Sequence, residues 1–414
     1  MVKKWKRWVT GLAIVNVLFI VSSSAAQETA EDSLTEKVGQ MGDEFEGVKE
    51  RLSVAESDIL GLKKFKMSGY VQARYEYHDD AISSPAKGTG STASDNQGKL
   101  LNRFLVRRGR IKATYRANPN ALGVVYFDGS ASGVSLKEAY VTLTEPHSQL
   151  NFTLGQFNWL FGYEVSFSSS KREFPERARW SRALFPGERD CGLKVERSFL
   201  LDQKYILSLQ GGIYNGNGIE DRVYGANDPN KDKDFVARAA CSFGMVDVGL
   251  SGYWGKQFNP SDSAIPKQMP SETDKTRYGA DGQLFYELPR LGGGVLKAEA
   301  VIGEEPKNPS RGFLTADTTR DVMGFDVMWA QNLREKFQFI SRLDYYDPNR
   351  DIDDDQITTY GVGLVYFWDG NSKVKLVYEV PKAGANSRSG VVTVDGAKKD
   401  ENDNILTLEW VYVF

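Results

Sequence analysis

The chain has 414 residues, and its 52 Lys and Arg against 55 Asp and Glu leave a formal charge of −3, which excludes a nucleic-acid binder held by net charge. No apolar run has the roughly 20 residues that a spanning helix needs. The chain is therefore either soluble or crosses a membrane as strands.

At the N-terminus Lys3, Lys4, Lys6 and Arg7 precede an apolar run from Trp8 to Val21, and Ser24, Ala25 and Ala26 supply small residues for cleavage. These are the three parts of a secretory signal peptide, here 1–26. Its removal takes away four positive charges and leaves the mature chain, now outside the cytoplasm, near about −7.

Residues 27–65 read as helix. Leu34, Val38, Met41, Phe45, Val48, Leu52, Ala55, Ile59 and Leu62 recur at alternating steps of four and three, a heptad seam that one helix cannot bury alone. A short self-associating coiled coil is expected. Gly39, Gly42, Gly47 and Gly61 weaken it, and a single amphipathic helix lying on another surface is the alternative.

From Met67 the period becomes two. Val71, Ala73, Tyr75 and Tyr77 alternate with Gln72, Arg74 and Glu76, and Leu406, Leu408, Trp410, Tyr412 and Phe414 form a similar face at the C-terminus. Strands are expected near 67–78, 103–116, 121–128, 134–144, 150–157, 190–199, 204–214, 234–243, 246–255, 276–288, 294–303, 321–330, 335–346, 357–368, 373–380 and 403–414. That makes about 16, with gaps that alternate long and short, although the gap from Gly129 to Gly133 is short where a long one is due. Short turns on one rim and long loops on the other mark an all-β transmembrane antiparallel barrel of the outer-membrane type, over 66–414. An even count puts both chain ends on the short-turn, periplasmic side, so the coiled coil belongs in the periplasm.

Residues 158–189 interrupt this pattern with no clean period. They carry Lys171, Arg172, Arg177, Arg179, Arg182 and Arg189 beside Phe167, Phe174, Trp180 and Phe185. An unpatterned loop of that length is functional or disordered, and its aromatics argue against disorder. It is read as a constriction loop folded into the bore and lining it with arginines. Cys191 and Cys241 fall on strands with one strand between them, roughly 9–10 Å apart, too far for a disulfide.

Several motifs resemble the phosphate-selective porin O/P family: R-F-L-V-R-R-G-R-I-K from Arg103, G-Q-F-x-x-x-F-G-x-E from Gly155 to Glu164, E-R-x-x-x-x-x-L-F-P-G-x-R-x-x-G from Glu176 to Gly192, and N-G-N-G from Asn215 to Gly218. The resemblance spans Lys66 to Phe414, with its motifs mainly in the first half. It implies a sixteen-stranded, usually trimeric barrel that favours anions, some members being selective for phosphate or polyphosphate. A homotrimer agrees with the self-association expected of the heptad seam.

An anion crossing a pore exchanges hydration for fixed donors, and arginine presents a planar fork to two oxygens. On the second strand, strict alternation turns Phe104, Val106, Arg108, Arg110 and Lys112 inward and Leu105, Ile111, Ala113 and Tyr115 toward lipid. Arg108, Arg110 and Lys112 form the candidate anion ladder. Arg172, Arg177, Arg179 and Arg182 would face it from the loop, and Arg74, Arg238 and Arg342 would extend the path. Arg107 falls on the lipid parity, where a basic residue at mid-depth costs about 2–4 kcal/mol, so it belongs near a rim or beside a bulge. Against selectivity stand Glu173, Glu176 and Glu188 on the loop and the inward Glu76, Glu138, Asp281, Glu287, Glu299, Asp326 and Asp344. Such acids can pair the bases and merely hold the loop, giving a weakly selective diffusion pore.

The acidic run Asp347 to Asp355 lacks the glycine and the acidic last ligand of a calcium loop, since Ile352 and Thr358 stand there, and it reads as a solvated exterior loop. His78 and His147 fall at opposite rims, and no serine motif, phosphate-gripping loop or metal cluster accompanies them. The expected activity is passive diffusion of small anions, without catalysis, cofactor, metal or nucleic acid. Outer-membrane lipid and lipopolysaccharide are the expected surroundings. A plugged barrel tethered by its coiled coil is the alternative from another class.

Overall fold

A computed structural model describes residues 49–52, 61, 64–78, 102–131, 133–202, 204–219, 228, 230–259, 271–306, 319–384, 393–394, 397–398 and 404–414. The chain divides into two units, Met1–Lys63 and Lys64–Phe414. The expected signal peptide, and nearly all of the expected coiled coil, lie outside the described residues. Within that segment residues 49–52 and 61 are helical.

The second unit is a closed antiparallel barrel. Its strands are β1 (Phe65–His78), β2 (Asn102–Asn118), β3 (Ala121–Ser130), β4 (Gly133–Thr144), β5 (Asn151–Asn158), β6 (Arg189–Leu201), β7 (Tyr205–Tyr214), β8 (Asp234–Ser242), β9 (Val246–Asn259), β10 (Ser271–Leu288), β11 (Gly292–Pro306), β12 (Thr319–Leu333), β13 (Phe337–Asp347), β14 (Ile357–Phe367) and β15 (Ser372–Ala383). A two-stranded hairpin of β16 (Thr393–Val394) and β17 (Ala397–Lys398) precedes the closing strand β18 (Ile405–Val413). One helix, α1 (Arg179–Leu184), lies between β5 and β6. All sixteen expected barrel strands are present. β18 closes on β1, with Tyr70 opposite Val413 and His78 opposite Ile405.

Alternation explains why these segments form this wall. On β18, Leu408, Trp410 and Tyr412 are exposed to the outside while Thr407, Glu409 and Val411 are buried toward the bore. Closure leaves no strand edge unpaired, which a lipid setting requires. Aromatic contacts gather at both rims, Trp368 with Trp410 and Tyr412 with Phe414 on the short-turn side, and Trp254 with Tyr278 on the other. No helix among the described residues is long and apolar enough to cross a membrane.

On β2 the register shifts near the short-turn end, between Arg116 and Asn118, and again deeper in the wall. Gln72 faces Arg108 and Ala73 faces Val106, so Arg107 is an extra residue in a β-bulge. Parity therefore reverses before it. Phe104 packs beside the outward Tyr75 and is 84% exposed, and Val106 is exposed too. Both face outward rather than inward, while Leu105, opposite Arg74, takes the inward side. Arg107 itself reaches the bore. A further bulge on β4 sets Glu138 opposite Tyr126 and Leu136 opposite Phe127, leaving Lys137 as the extra residue, and both Lys137 and Glu138 are buried.

Candidate functional site

The segment between β5 and β6 lies inside the barrel. Its neck is closed by Trp159 N–H donating to Glu188 O at 3.1 Å. Trp159, Phe161, Val165, Trp180, Leu184 and Phe185 form one apolar cluster with Tyr214, Val236, Tyr253, Val301, Val322 and Tyr346 of the wall. The aromatics that made the loop unpatterned in sequence are therefore a core, and they hold it against β7–β13. Two wall glycines allow the close approach. A Cβ on Gly324 would lie 2.3 Å from the Cβ of Trp180, and one on Gly361 would lie 2.5 Å from the ring of Phe174.

Polar contacts fix the other face. The Trp180 indole donates to Asp326 at 2.8 Å and the Arg179 amide to Asp344 at 2.7 Å. Tyr163 and Glu164 amides donate to Glu299 at 3.1 and 2.8 Å. Lys297 pairs with Glu173 at 2.8 Å and lies over the rings of Tyr163 and Phe167. At the far side Ser169 meets Tyr70, Gln72 and Arg110.

Most of the expected basic path is paired. Arg74, Arg107 and Arg108 converge on the Glu176 carboxylate at 2.9, 2.7 and 3.0 Å. Arg342 donates to the Glu176 carbonyl at 2.8 Å and pairs with Glu379. Burial alone would raise the Glu176 pKa, but Arg108, Arg107 and Arg74 hold it well below the usual carboxylate range. Arg74 also meets Glu409 at 2.5 Å, which in turn binds Lys375 at 2.7 Å. Arg110 pairs with Asp128 at 2.6 Å, Lys112 with Glu138 at 3.1 Å, and Arg177 with Glu188 at 2.9 Å. Arg189 bridges Glu138 and Glu188, linking the last two pairs. Arg238 stands apart from the loop arginines and clasps Asp281 with two nitrogens, at 2.5 and 2.9 Å.

Arg172 differs from this set. It is 3% exposed, and its Nε and Nη1 have no acceptor among the described residues. Burial, with Arg177 and Arg108 adding like charge, pushes its pKa down to about 9. Arg179 is pushed down to about 10 by burial and by Arg182, and its Nε also lacks an acceptor. Arg182 is exposed. Arg172, Lys297 and Arg342 border a small cavity of about 30 Å³ together with Glu164 and Glu173. A larger one of about 240 Å³ is lined by Lys112, Lys194 and Arg238 with Glu138 and Tyr140. Geometry of this kind leaves donors free to meet an oxyanion at Arg172 and, through one nitrogen, at Arg179, beside the paired charges of the other bases.

Sequence reasoning missed Lys137, whose side chain comes within 3.7 Å of Glu188 through the β4 bulge. It also missed Lys373, which donates to the Lys171 and Arg172 carbonyls at 3.1 and 3.2 Å. The inward parity of β15 was a signal for Lys373; the bulge at Lys137 left none. No group of three or more His, Cys, Asp or Glu suited to a metal occurs among the described residues. Cys191 and Cys241 are free, on β6 and β8 with β7 between them.

Comparison with known proteins follows the same line. The family model described as phosphate-selective porin O and P matches residues 67–279. Comparison with curated proteins gives no match. Among solved structures, the anion-selective porin from Comamonas acidovorans is similar at 12% identity and TM-score 0.56, covering 84% of this chain and 99% of its own. OprB of Pseudomonas putida is similar at 10% identity and TM-score 0.58, covering 87% and 96%. The trimer form of OmpT, an outer membrane protein of Vibrio cholerae, is similar at 12% identity and TM-score 0.52, covering 84% and 99%. At these identities the likeness is one of fold.

Proposed function

The chain belongs to the phosphate-selective porin O and P family and is an outer-membrane porin, a channel for passive diffusion; on that premise we propose that its constriction prefers small anions, inorganic phosphate or similar oxyanions among them. The observation that carries this reading is the buried guanidinium of Arg172, whose Nε and Nη1 have no acceptor among the described residues. Burial and neighbouring like charge both disfavour its cationic form, and an entering oxyanion relieves both. In this reading Arg108, Arg110, Lys112, Arg177 and Arg179 set the potential around it. Arg74, Arg238 and Arg342 line the approach, and the exposed Arg182 meets solutes first. Transport needs no catalytic group. The two histidines, His78 at the end of β1 and His147 in the turn after β4, stand at opposite rims and cannot act together.

One observation favours a weakly selective pore instead. Arg74, Arg108, Arg110, Lys112, Arg177, Arg238 and Arg342 each already hold a carboxylate; Lys112 and Arg238 are neutralised within the wall, and the other five anchor the loop as much as they attract solute. The zero-current potential of the purified protein in a planar bilayer under a potassium chloride gradient separates the two readings. Chloride preference, phosphate block of the chloride current, and a fall of about two- to fivefold in the anion-to-cation ratio for Arg172→Ala are expected, the effect of one screened charge. A potential near zero that Arg172→Ala leaves unchanged assigns the basic residues to anchoring alone. An absence of channels points to a plugged tether. A trimer, with the heptad seam of residues 27–65 in the periplasm, is part of the same proposal.

A further inference from the structure

Outside the bore, the wall of β6–β9 carries an open apolar groove of about 690 Å³. Phe199, Leu209, Leu250 and Trp254 stand along it, and Gly211 lies in its floor, where an added Cβ would meet nothing within 4 Å. Arg197 borders the same groove on β6. Its register opposite Leu209, in step with Val195 and Phe199, turns it outward. The guanidinium lies 4.4 Å from the Phe199 ring centroid and makes no ion pair among the described residues.

An arginine on the lipid face at mid-membrane costs about 2–4 kcal/mol, falling toward the interfaces. Arg197 is four residues from Leu201, which pairs with Tyr205, and Tyr205 meets Phe243 at 5.6 Å as part of the short-turn aromatic rim. At about 3.3 Å per residue and a tilt near 40°, its Cα lies roughly 10 Å from that rim. A side chain of its length snorkels most of that distance.

We propose that this groove is a phospholipid site, in which one acyl chain lies along β7–β9 and Arg197 binds the phosphate diester. Charge complementarity selects this occupant over a second copy of the barrel. In the short-turn half, strand register places no Asp or Glu at an outward position on the described strands, Glu287 of β10 sharing the bore parity of Asp281. A neighbouring barrel therefore offers Arg197 no carboxylate at its depth. A phospholipid of the periplasmic leaflet offers a phosphate there, at the height the guanidinium reaches, and an acyl chain that fills the depression above Gly211. The inference rests on the membrane setting of the barrel and is independent of its ion preference.

Native mass spectrometry of the full-length protein released from nanodiscs of phosphatidylethanolamine and phosphatidylglycerol tests it. One phospholipid retained per chain is expected. Arg197→Gln should lower the retained lipid about tenfold, and Arg197→Lys should lower it less, because a point charge replaces the fork. Ala239→Trp, which fills the groove but keeps the charge, should also release the lipid. Single-channel conductance should stay at the wild-type value in all three, which reports that the barrels are folded. Equal retention in the wild type and Arg197→Gln overturns the proposal. So does a loss of oligomeric state in Arg197→Gln and Ala239→Trp without a change in lipid, because a second copy then covers the face.

Discussion

Glu176 receives three guanidinium groups on its carboxylate and a fourth on its carbonyl, from β1, β2 and β13. Its neutral isostere separates two roles that the arginines hold together. In Glu176→Gln, Arg74 keeps Glu409 and Arg108 keeps Gln72, while Arg107 loses its carboxylate partner. Breaking a fully buried pair costs 3–5 kcal/mol, but the Glu176 side chain retains 21% exposure, so a loss of about 2 kcal/mol is expected. Three incompletely neutralised cations then face the bore. The zero-current potential should move toward anions and open-channel noise should rise as the loop loosens. A shift toward cations would mean that these arginines do not face the permeating ion. Arg172→Ala is the complementary change, since it removes a cation that anchors nothing through its Nε and Nη1.

The loop behaves as an element with its own core, docked on the wall through aromatic side chains and small residues opposite them. Gly324→Val forces a methyl-bearing carbon against Trp180, and overpacking of this kind costs about 1–3 kcal/mol. The barrel ladder has no part in that contact, so the damage should be local. Limited trypsin digestion should cut faster at Arg179 and Arg182 while the strands stay protected, and unchanged digestion would show that the helix is held by its hydrogen bonds to Asp326 and Asp344. The loop after β13 gives a pH-dependent test. Asp355 is pushed up to about 7 by burial and by Asp347. A folded-state pKa above the unfolded carboxylate value means that the folded loop binds the proton more tightly. Its order should be lost as pH rises through about 7 and gained as pH falls toward the unfolded value. Amide exchange over residues 348–356, corrected for intrinsic rate, should be slower at pH 5 than at pH 8, and Asp355→Asn should remove the difference. The strands and the loop were legible because period two and its interruption are local signals. Arg107 was legible as an exception to parity but not as a pore residue, because a bulge depends on register with β1. The partner of each arginine was not legible at all: Arg74 meets Glu409, 335 positions away, and nothing local records which acid closes beside which base.

At the scale of the whole barrel, acids and bases alternate around one lumen, so a long-range field and a local binding site predict different salt dependence. The field extends about one Debye length, roughly 30 Å at 0.01 M and 3 Å at 1 M. A preference arising from summed wall charge should therefore fade as salt rises. The contact proposed at Arg172 is different, because the guanidinium is buried and bonds from it to an oxyanion would be short and poorly screened. The mixed pairing around Glu176, Glu138 and Glu188 leaves little net field, so the proposal makes the local site the larger contributor. Phosphate block of the chloride current should consequently persist at 1 M potassium chloride, while the anion-to-cation ratio measured with chloride alone should decline toward one. If block disappears together with the ratio, the selectivity belongs to the diffuse field and no discrete oxyanion site operates in the constriction.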